Sequence, residues 1–210
     1  MKPSKENNTL EIGVDEAGYG PLIGPVYAAA VIWPRELEIP DHIRIEDSKK
    51  LKPHHLKASF EFIINNAVAY GVGSSTVDEI NTIGIKPANI QAMHRAIDQC
   101  ELTPDLIIVD GINFDIYFDQ HGNAVDYITI EKGDATYYSI AAASILAKWS
   151  RDQYMLEFCK LHPELDQRYK ISQNKGYGTK DHKDGLAKYG YCQFHRKYKF
   201  INGLELNPVK

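Results

Sequence analysis

The chain has 210 residues, of which 43% are hydrophobic and 25% are charged, and its formal net charge is −4 at pH 7. This composition predicts one soluble globular domain, or a domain with a small appendage. The first ten residues contain no apolar signal-peptide core and no segment is long enough to span a membrane, so the sequence excludes a membrane protein and predicts a cytoplasmic one. Three widely spaced cysteines without a CxxC pair also fit a reducing compartment.

The first half of the chain alternates between strand and helix patterns. Runs of apolar residues bounded by glycine and proline indicate strands, and apolar residues at helical spacing indicate helices. The predicted strands are residues 9–14, 26–33 and 68–77, and the predicted helices are residues 53–68 and 86–100.

The second half continues the alternation and then becomes irregular. Short apolar strands are predicted at residues 105–111 and 127–134, followed by a long helix at residues 139–161. The alanine run Ala141–Ala143 in that helix leaves little side-chain bulk, so another backbone can approach it closely. Beyond about residue 160 the pattern predicts a small C-terminal extension on an α/β body.

Four acidic residues occur at the ends of the predicted apolar strands: Asp15, Glu16, Asp110 and Asp134. Strand ends that share a direction gather at one edge of an open α/β sheet, where these carboxylates would repel one another unless cations intervened. Ligands that offer only oxygen favour Mg²⁺ or Mn²⁺, and two such ions about 4 Å apart would form a phosphodiester-cleaving site. Each acid taken alone is equally compatible with a turn or helix-capping residue, which leaves that interpretation open.

Positive charge is concentrated near the C-terminus. Residues 168–199 contain nine lysines and arginines against two acids, and they carry five of the thirteen tyrosines. Basic residues interleaved with aromatic rings are typical of a nucleic-acid surface, which needs charge for phosphates and flat rings for sugars or bases. The alternative is an ordinary solvated surface rich in lysine.

Six motifs, taken together, resemble ribonuclease HII and occur in the order that this family has them. They are DEAGYGPLIGPV (15–26), DSKKL (47–51), VDG (109–111), KGDATYYSIAAASILAKWSRD (132–152), NKGYGTKDH (174–182) and HRKYKF (195–200). The resemblance implies a ribonuclease H-like α/β fold, with a mixed five-stranded sheet flanked by helices and a small helical C-terminal extension. It divides the chain into a catalytic domain at residues 1–160 and a basic, tyrosine-rich extension at residues 161–210 that contributes to substrate binding.

The resemblance also implies an activity, endonucleolytic cleavage of RNA paired with DNA that leaves 3′-hydroxyl and 5′-phosphate ends. Its catalytic, metal-binding carboxylates fall on Asp15, Glu16, Asp110 and Asp134, the set that the strand ends already indicate. Two Mg²⁺ or Mn²⁺ ions are implied, with Asp15 between them.

Substrate contacts are implied at eight further positions. Backbone groups of Gly18, Tyr19 and Gly20 would read a ribose 2′-hydroxyl, and Tyr177 would lie against the sugar at the RNA-to-DNA step. The resemblance implies phosphate contacts at Ser48, Lys49, Lys148 and Arg151. His182 and His195 match family positions, but nothing in the sequence makes them metal ligands.

The chain departs from the family pattern at Tyr19, where the family usually has arginine. We therefore expect a weaker preference for single ribonucleotides within DNA than an arginine-bearing relative would have. The expected partners are RNA/DNA hybrids and ribonucleotide-containing DNA. We expect a monomer without the Q-x-x-[LI]-x-x-[FY]-[FY] peptide that docks on sliding clamps.

Two other classes of protein remain as alternatives. A non-catalytic nucleic-acid-binding domain on the same fold would have no need of four mutually repelling acids. A metal-dependent phosphatase for small molecules would not need the basic, tyrosine-rich segment. Within the family, the ribonuclease HIII type is disfavoured because the sequence lacks that type's long N-terminal extension.

Overall fold

A mixed β-sheet forms the centre of the computed structural model, which describes residues 1–5 and 9–197. The strands are β1 (Glu11–Ala17), β2 (Val26–Ile32), β3 (Ala69–Ser75), β4 (Leu106–Asp110), β5 (Tyr117–Phe118) and β6 (Ala124–Ile130). Their order across the sheet is β3-β2-β1-β4-β6-β5. The sheet therefore has one strand more than the expected five, and the additional one is the two-residue β5, which pairs antiparallel with β6 at the edge.

The strand directions bring several chain ends to the same edge of the sheet. β1 pairs in parallel with β4, and β4 pairs in parallel with β6, whereas β2 and β3 run antiparallel to their neighbours. In the β1–β4 register Val14 lies opposite Val109, so that Asp15 and Asp110 follow at adjacent positions. The predicted gathering of strand ends is thus confirmed for β1, β4 and β6.

Helices cover both faces of this sheet and extend beyond it. They are α1 (Pro53–Asn66), α2 (Val77–Ile83), α3 (Ile85–Asp98), α4 (Tyr138–Leu161), α5 (Pro163–Tyr169), α6 (Ile171–Asn174) and α7 (Lys180–Tyr189). One hydrophobic core lies between the sheet and α3, and a second lies between the sheet and α1 with α4. β1 approaches α4 so closely that a Cβ on Gly13 would lie 2.4 Å from the carbonyl carbon of Ser139.

Two predicted strands are present but end earlier than expected. The strand predicted at residues 68–77 ends at Ser75, and α2 begins directly afterwards with a capping box formed by Thr76 and Glu79. The strand predicted at residues 127–134 ends at Ile130, so Asp134 lies beyond it in a 3₁₀ turn, Gly133–Ala135.

The C-terminal extension packs against the body through a third hydrophobic core. Leu165, Tyr169 and Ile171 of the extension contact Met155 and neighbouring residues of α4, and Ile23 from the turn after β1 joins them. The predicted division at residue 160 falls at the end of α4, and this core crosses it. Residues 198–210, which include the end of the HRKYKF motif and the last part of the basic segment, lie outside the described residues. Among the residues described, no helix has the length and apolar character needed to cross a bilayer.

Candidate active site

Three of the four predicted acids meet at the edge where β1, β4 and β6 end. Asp15 lies near the end of β1, Asp110 is the last residue of β4, and Asp134 lies in the turn between β6 and α4. One carboxylate oxygen of each lies within 4.8 Å of the others. Asp15 and Asp134 are buried and Asp110 is half-buried. This spacing allows all three to bind a single cation, so we call the three residues the acid cluster.

Backbone hydrogen bonds hold the acid cluster in place. Oδ1 of Asp110 accepts from the backbone N–H of Gly133 at 2.7 Å and from that of Asp134 at 3.4 Å, which ties the end of β4 to the turn after β6. Oδ1 of Asp15 accepts from the backbone N–H of Glu16 at 2.7 Å. Backbone N–H groups therefore help to fix the carboxylates of Asp15 and Asp110.

Two buried serines support Asp15 from α4 and from the turn before α1. The hydroxyl of Ser144 donates to the Asp15 carboxylate and lies 2.8 Å from the hydroxyl of Ser48. Sequence reasoning missed Ser144, although a lone serine directly after the alanine run of α4 was the available signal. Ser48, which was expected at a phosphate, instead uses its side chain in this buried pair.

Glu16 lies beside the acid cluster but does not belong to the group that meets within 4.8 Å. Its charge nevertheless acts on Asp15, whose pKa it raises, so the two side chains lie close together. Burial raises the pKa of Glu16, and the negative charge of Asp110 raises it further, so Glu16 still interacts with the cluster.

The acids destabilise one another's charged forms. Burial, followed by the charges of Glu16 and Asp110, raises the pKa of Asp15 well above its usual value. Burial and Asp110 also raise the pKa of Asp134. A cation between the carboxylates would relieve both the repulsion and the cost of burial, and a donor set of oxygens alone suits a hard divalent ion. The residues present therefore fit a divalent metal.

Lys49 is the cation next to the acids. Burial alone would lower the pKa of its ammonium group, but the charges of Asp15 and three other nearby acids outweigh that effect and raise it. Lys49 is exposed, so a substrate phosphate could reach it.

A glycine-rich loop follows β1 and brings a second set of predicted residues together. Gly18 is buried with a φ of +87°, a conformation that favours glycine, whereas Tyr19 and Gly20 are exposed. A Cβ on Gly20 would lie 3.9 Å from Cε1 of Tyr177, and the Tyr177 ring is exposed. The structure thus combines the loop and Tyr177 into one surface.

Arg151, which was predicted to contact a phosphate, and Arg196, which belongs to the basic segment, are both buried behind this loop. Arg151, 2% exposed, donates to the carbonyls of Pro25 at 3.2 Å and Ile23 at 3.5 Å. Arg196, 1% exposed, donates to three further loop carbonyls. This burial does not support a direct phosphate contact by Arg151. Lys148 is partly exposed and forms an ion pair with Asp152.

His182 and His195 form a buried hydrogen-bonded pair. Their Nε2 atoms lie 3.1 Å apart, Nδ1 of His195 accepts from the backbone N–H of Cys192, and Nδ1 of His182 donates to the carbonyl of Tyr177. These partners require both rings to be neutral. Within residues 1–5 and 9–197 only the acid cluster has metal-ligand spacing, so the structure gives the two histidines no metal-binding role.

Comparison with known proteins identifies the family. The family model described as Ribonuclease HII matches residues 12–203. A ribonuclease HII of Caldicellulosiruptor saccharolyticus is 44% identical over 197 residues, which cover 92% of this chain and 88% of the relative. One of Phocaeicola vulgatus is 42% identical over 93% of this chain and 92% of the relative. The crystal structure of the ribonuclease H2 from Pyrococcus horikoshii OT3 superposes with a TM-score of 0.68 at 25% identity, covering 89% of this chain and 92% of that one.

A mixed sheet with clustered acids at the ends of its parallel strands defines a metal-dependent nuclease of the ribonuclease H-like fold. The chain belongs to the ribonuclease HII family. It is accordingly a metal-dependent endoribonuclease that acts on RNA/DNA hybrids.

Proposed function

We propose that the protein hydrolyses the RNA strand with two divalent cations, Mg²⁺ or Mn²⁺, bound by Asp15, Glu16, Asp110 and Asp134, and leaves 3′-hydroxyl and 5′-phosphate ends. The observation that carries this proposal is the convergence of three carboxylates whose burial and mutual repulsion favour a bound cation. When bound, such ions supply the Lewis acidity that phosphodiester hydrolysis needs at neutral pH.

The protein's own groups orient and balance this site. Asp15 lies at the centre of the site. Ser144 of α4 hydrogen-bonds its carboxylate, and the carboxylates of Glu16 and Asp110 lie next to it. Asp110 keeps the turn with Asp134 in place through the N–H of Gly133. Lys49 would offset part of the negative charge that a substrate phosphate brings to the acids.

The second surface would read the sugar next to the cleaved bond. The exposed loop residues Tyr19 and Gly20 and the exposed ring of Tyr177 lie side by side, with Gly18 behind them. Backbone donors can bind a 2′-hydroxyl and a flat ring can pack on a sugar, which together would select a ribonucleotide. We extend the proposal to single ribonucleotides within duplex DNA, with the basic residues of 161–210 as further contributors to binding.

The remaining predicted contacts take different roles in this proposal. Arg151 supports the loop from behind, and Ser48 supports Ser144. Lys148 would have to break its ion pair with Asp152 in order to contact a phosphate. In this proposal the protein acts as a monomer in the cytoplasm. It binds its substrates without docking on a sliding clamp through a C-terminal peptide.

One set of assays tests the proposal. The substrates are an end-labelled RNA/DNA hybrid, a DNA duplex with one ribonucleotide, a matched all-DNA duplex and a generic phosphate ester, each with Mg²⁺, with Mn²⁺ and with a chelator. We expect metal-dependent cleavage of the first two only, with 3′-hydroxyl products. Binding of the hybrid without cleavage under every metal condition would instead support a non-catalytic nucleic-acid-binding domain.

A further inference from the structure

The glycine-rich loop is held from inside the protein by the three donor atoms of one guanidinium group. Nη2 of Arg196 donates to the carbonyl of Gly18 at 2.7 Å, Nη1 to that of Tyr19 at 2.8 Å, and Nε to that of Gly24 at 2.8 Å. We infer that Arg196 is a positioning residue that turns the N–H groups of Tyr19 and Gly20 toward the substrate, an inference that rests on the proposed function.

The direction of these N–H groups follows from peptide geometry. In a trans peptide the C=O of one residue and the N–H of the next point in opposite directions, and the described residues contain no cis peptide. Because the carbonyls of Gly18 and Tyr19 face Arg196, the N–H groups of Tyr19 and Gly20 face away from it. Arg196 is buried and both of these loop residues are exposed, so the two donors face the outer surface.

Both N–H groups are available to a ligand. Within residues 1–5 and 9–197, neither donates to a backbone carbonyl. Successive N–H groups that point the same way form a concave donor pair suited to an oxygen atom. Next to Tyr177, such a pair suits an oxygen of the substrate backbone, such as a ribose hydroxyl or a phosphate oxygen.

A second buried arginine adds positive charge behind the same loop. A Cβ on Gly18 would lie 2.0 Å from Nε of Arg151, so Arg151 lies directly behind the loop. Burial lowers the pKa of Arg151 to about 10, and the nearby charge of Arg196 contributes in the same direction. Two positive charges behind the loop make its outer face more favourable for an electronegative oxygen. They partly replace the charge that Tyr19 lacks.

Lysine could not take the place of Arg196. A lysine ammonium is a compact charge and lacks the planar fork that reaches three carbonyls at once. Arg196→Lys therefore keeps the charge but releases part of the loop. Arg44→Lys is the matched control, because Arg44 is exposed, pairs with Glu46 and lies outside both the loop and the basic segment.

The test measures binding, with cleavage suppressed by Asp110→Asn in every variant. Two duplexes are compared, one with a single ribonucleotide and one of DNA alone. We expect Arg196→Lys to reduce the preference for the ribonucleotide about fivefold, the size of one lost hydrogen bond, while affinity for DNA alone changes little. Arg44→Lys should leave this preference unchanged. A merely structural role would weaken binding of both duplexes alike, and an unchanged preference in Arg196→Lys would overturn the inference.

A second measurement needs no change at Arg196. In the Asp110→Asn protein, the amide resonances of Tyr19 and Gly20 should shift more with the ribonucleotide duplex than with DNA alone. Equal shifts with both duplexes would contradict the inference. If Asp110→Asn itself shows no preference for the ribonucleotide in binding, the proposed sugar-reading surface fails, which is a different result from failure of Arg196 alone.

Discussion

At the ends of β1 and β4, three carboxylates face one another within 4.8 Å, whereas behind the neighbouring loop two arginines are buried among backbone carbonyls. Burial and mutual repulsion raise the pKa values of Asp15 and Asp134, which favours a bound cation in addition to Lys49. The arginines are satisfied by the protein itself. Changes in the first region should therefore alter the chemistry, and changes in the second should alter how the substrate is placed.

The largest effect is expected in the acid cluster. Asp110→Asn keeps an Oδ1 acceptor for the N–H of Gly133 but removes a charge from the metal site. Metal ions supply several kcal/mol of transition-state stabilisation, so we expect kcat to fall by about 10²- to 10³-fold. Hybrid binding should survive, and stabilisation by added Mg²⁺ or Mn²⁺ in thermal unfolding should decrease.

The matched control is Asp126→Asn, which removes an exposed carboxylate of β6 outside the acid cluster. It should leave kcat and metal-dependent stabilisation close to those of the unmodified protein. Near-normal cleavage by Asp110→Asn would refute the metal assignment and remove the contrast between the two regions.

The second prediction concerns stability of the C-terminal side at low pH. Burial, with a smaller contribution from His182, lowers the pKa of His195 to about 3, whereas an unfolded histidine titrates near 6.5. Between these values only the unfolded chain binds the proton, so stability is complete above pH 6.5 and falls as the pH drops. From pH 7 to pH 5, His195 should account for about 2 kcal/mol of lost stability.

Chemical denaturation at both pH values, with and without His195→Asn, measures this difference. The variant should lose about 2 kcal/mol less than the unmodified protein. Cys192, Tyr169 and Tyr191 also face His195, and none of them carries a compensating negative charge near pH 5. Parallel pH curves for the protein and His195→Asn would contradict the prediction.

The third prediction concerns the proposed contact between Tyr177 and a substrate sugar. Stacking on an aromatic ring is worth about 1–3 kcal/mol, so Tyr177→Ala should raise KM about tenfold for a duplex with one ribonucleotide. The increase should be smaller on a long hybrid, which offers many binding registers. Tyr177→Phe keeps the ring that packs over Arg151 and should behave almost normally. Equal losses on both substrates would argue against sugar reading.

The smallest effect is expected at Tyr19. Tyr19→Arg adds a charge on the exposed side of the loop, where the structure provides backbone donors but keeps the two arginines buried behind it. It should steepen the log–log salt dependence of binding by about 0.9, the value for one additional phosphate contact. Tyr70→Arg, at an exposed position of β3, should leave the slope unchanged. If the slope and the substrate preference of Tyr19→Arg both stay constant, the tyrosine already makes an equivalent contact.

Three of the four acids predicted to gather do meet in the structure, for a physical reason. Acids after apolar strands are rare enough to be informative, and parallel strands carry their ends to one edge. The sequence did not predict the roles of Arg151 and Arg196, because arginine is usually a surface residue and a local pattern gives no sign of its burial. The contact from Arg196 to Gly18 spans 178 residues, beyond the reach of any periodicity.

Short-range features of the sequence account for the other differences between the predicted and the observed ends of helices and strands. The start of α2 has a recognisable T-x-x-E capping box at Thr76–Glu79, which the β-type pattern before it obscured. Asp134 was placed at a strand end, but Lys132, in a left-handed conformation, precedes a 3₁₀ turn that carries Asp134 beyond the strand. The carboxylate nevertheless reaches the same edge.

The long separation between Gly18 and Arg196 has a consequence for synthesis of the protein. A chain growing from its N-terminus contains the whole acid cluster once residue 134 has been added, but the loop cannot gain its three hydrogen bonds until residue 196 has been added. Domains fold from the N-terminal side during translation. Limited proteolysis of arrested nascent chains would detect this order as late protection of the Gly18–Gly24 segment. The ribosome thus delivers the three acids of the cluster first, and the neighbouring loop takes its final form last.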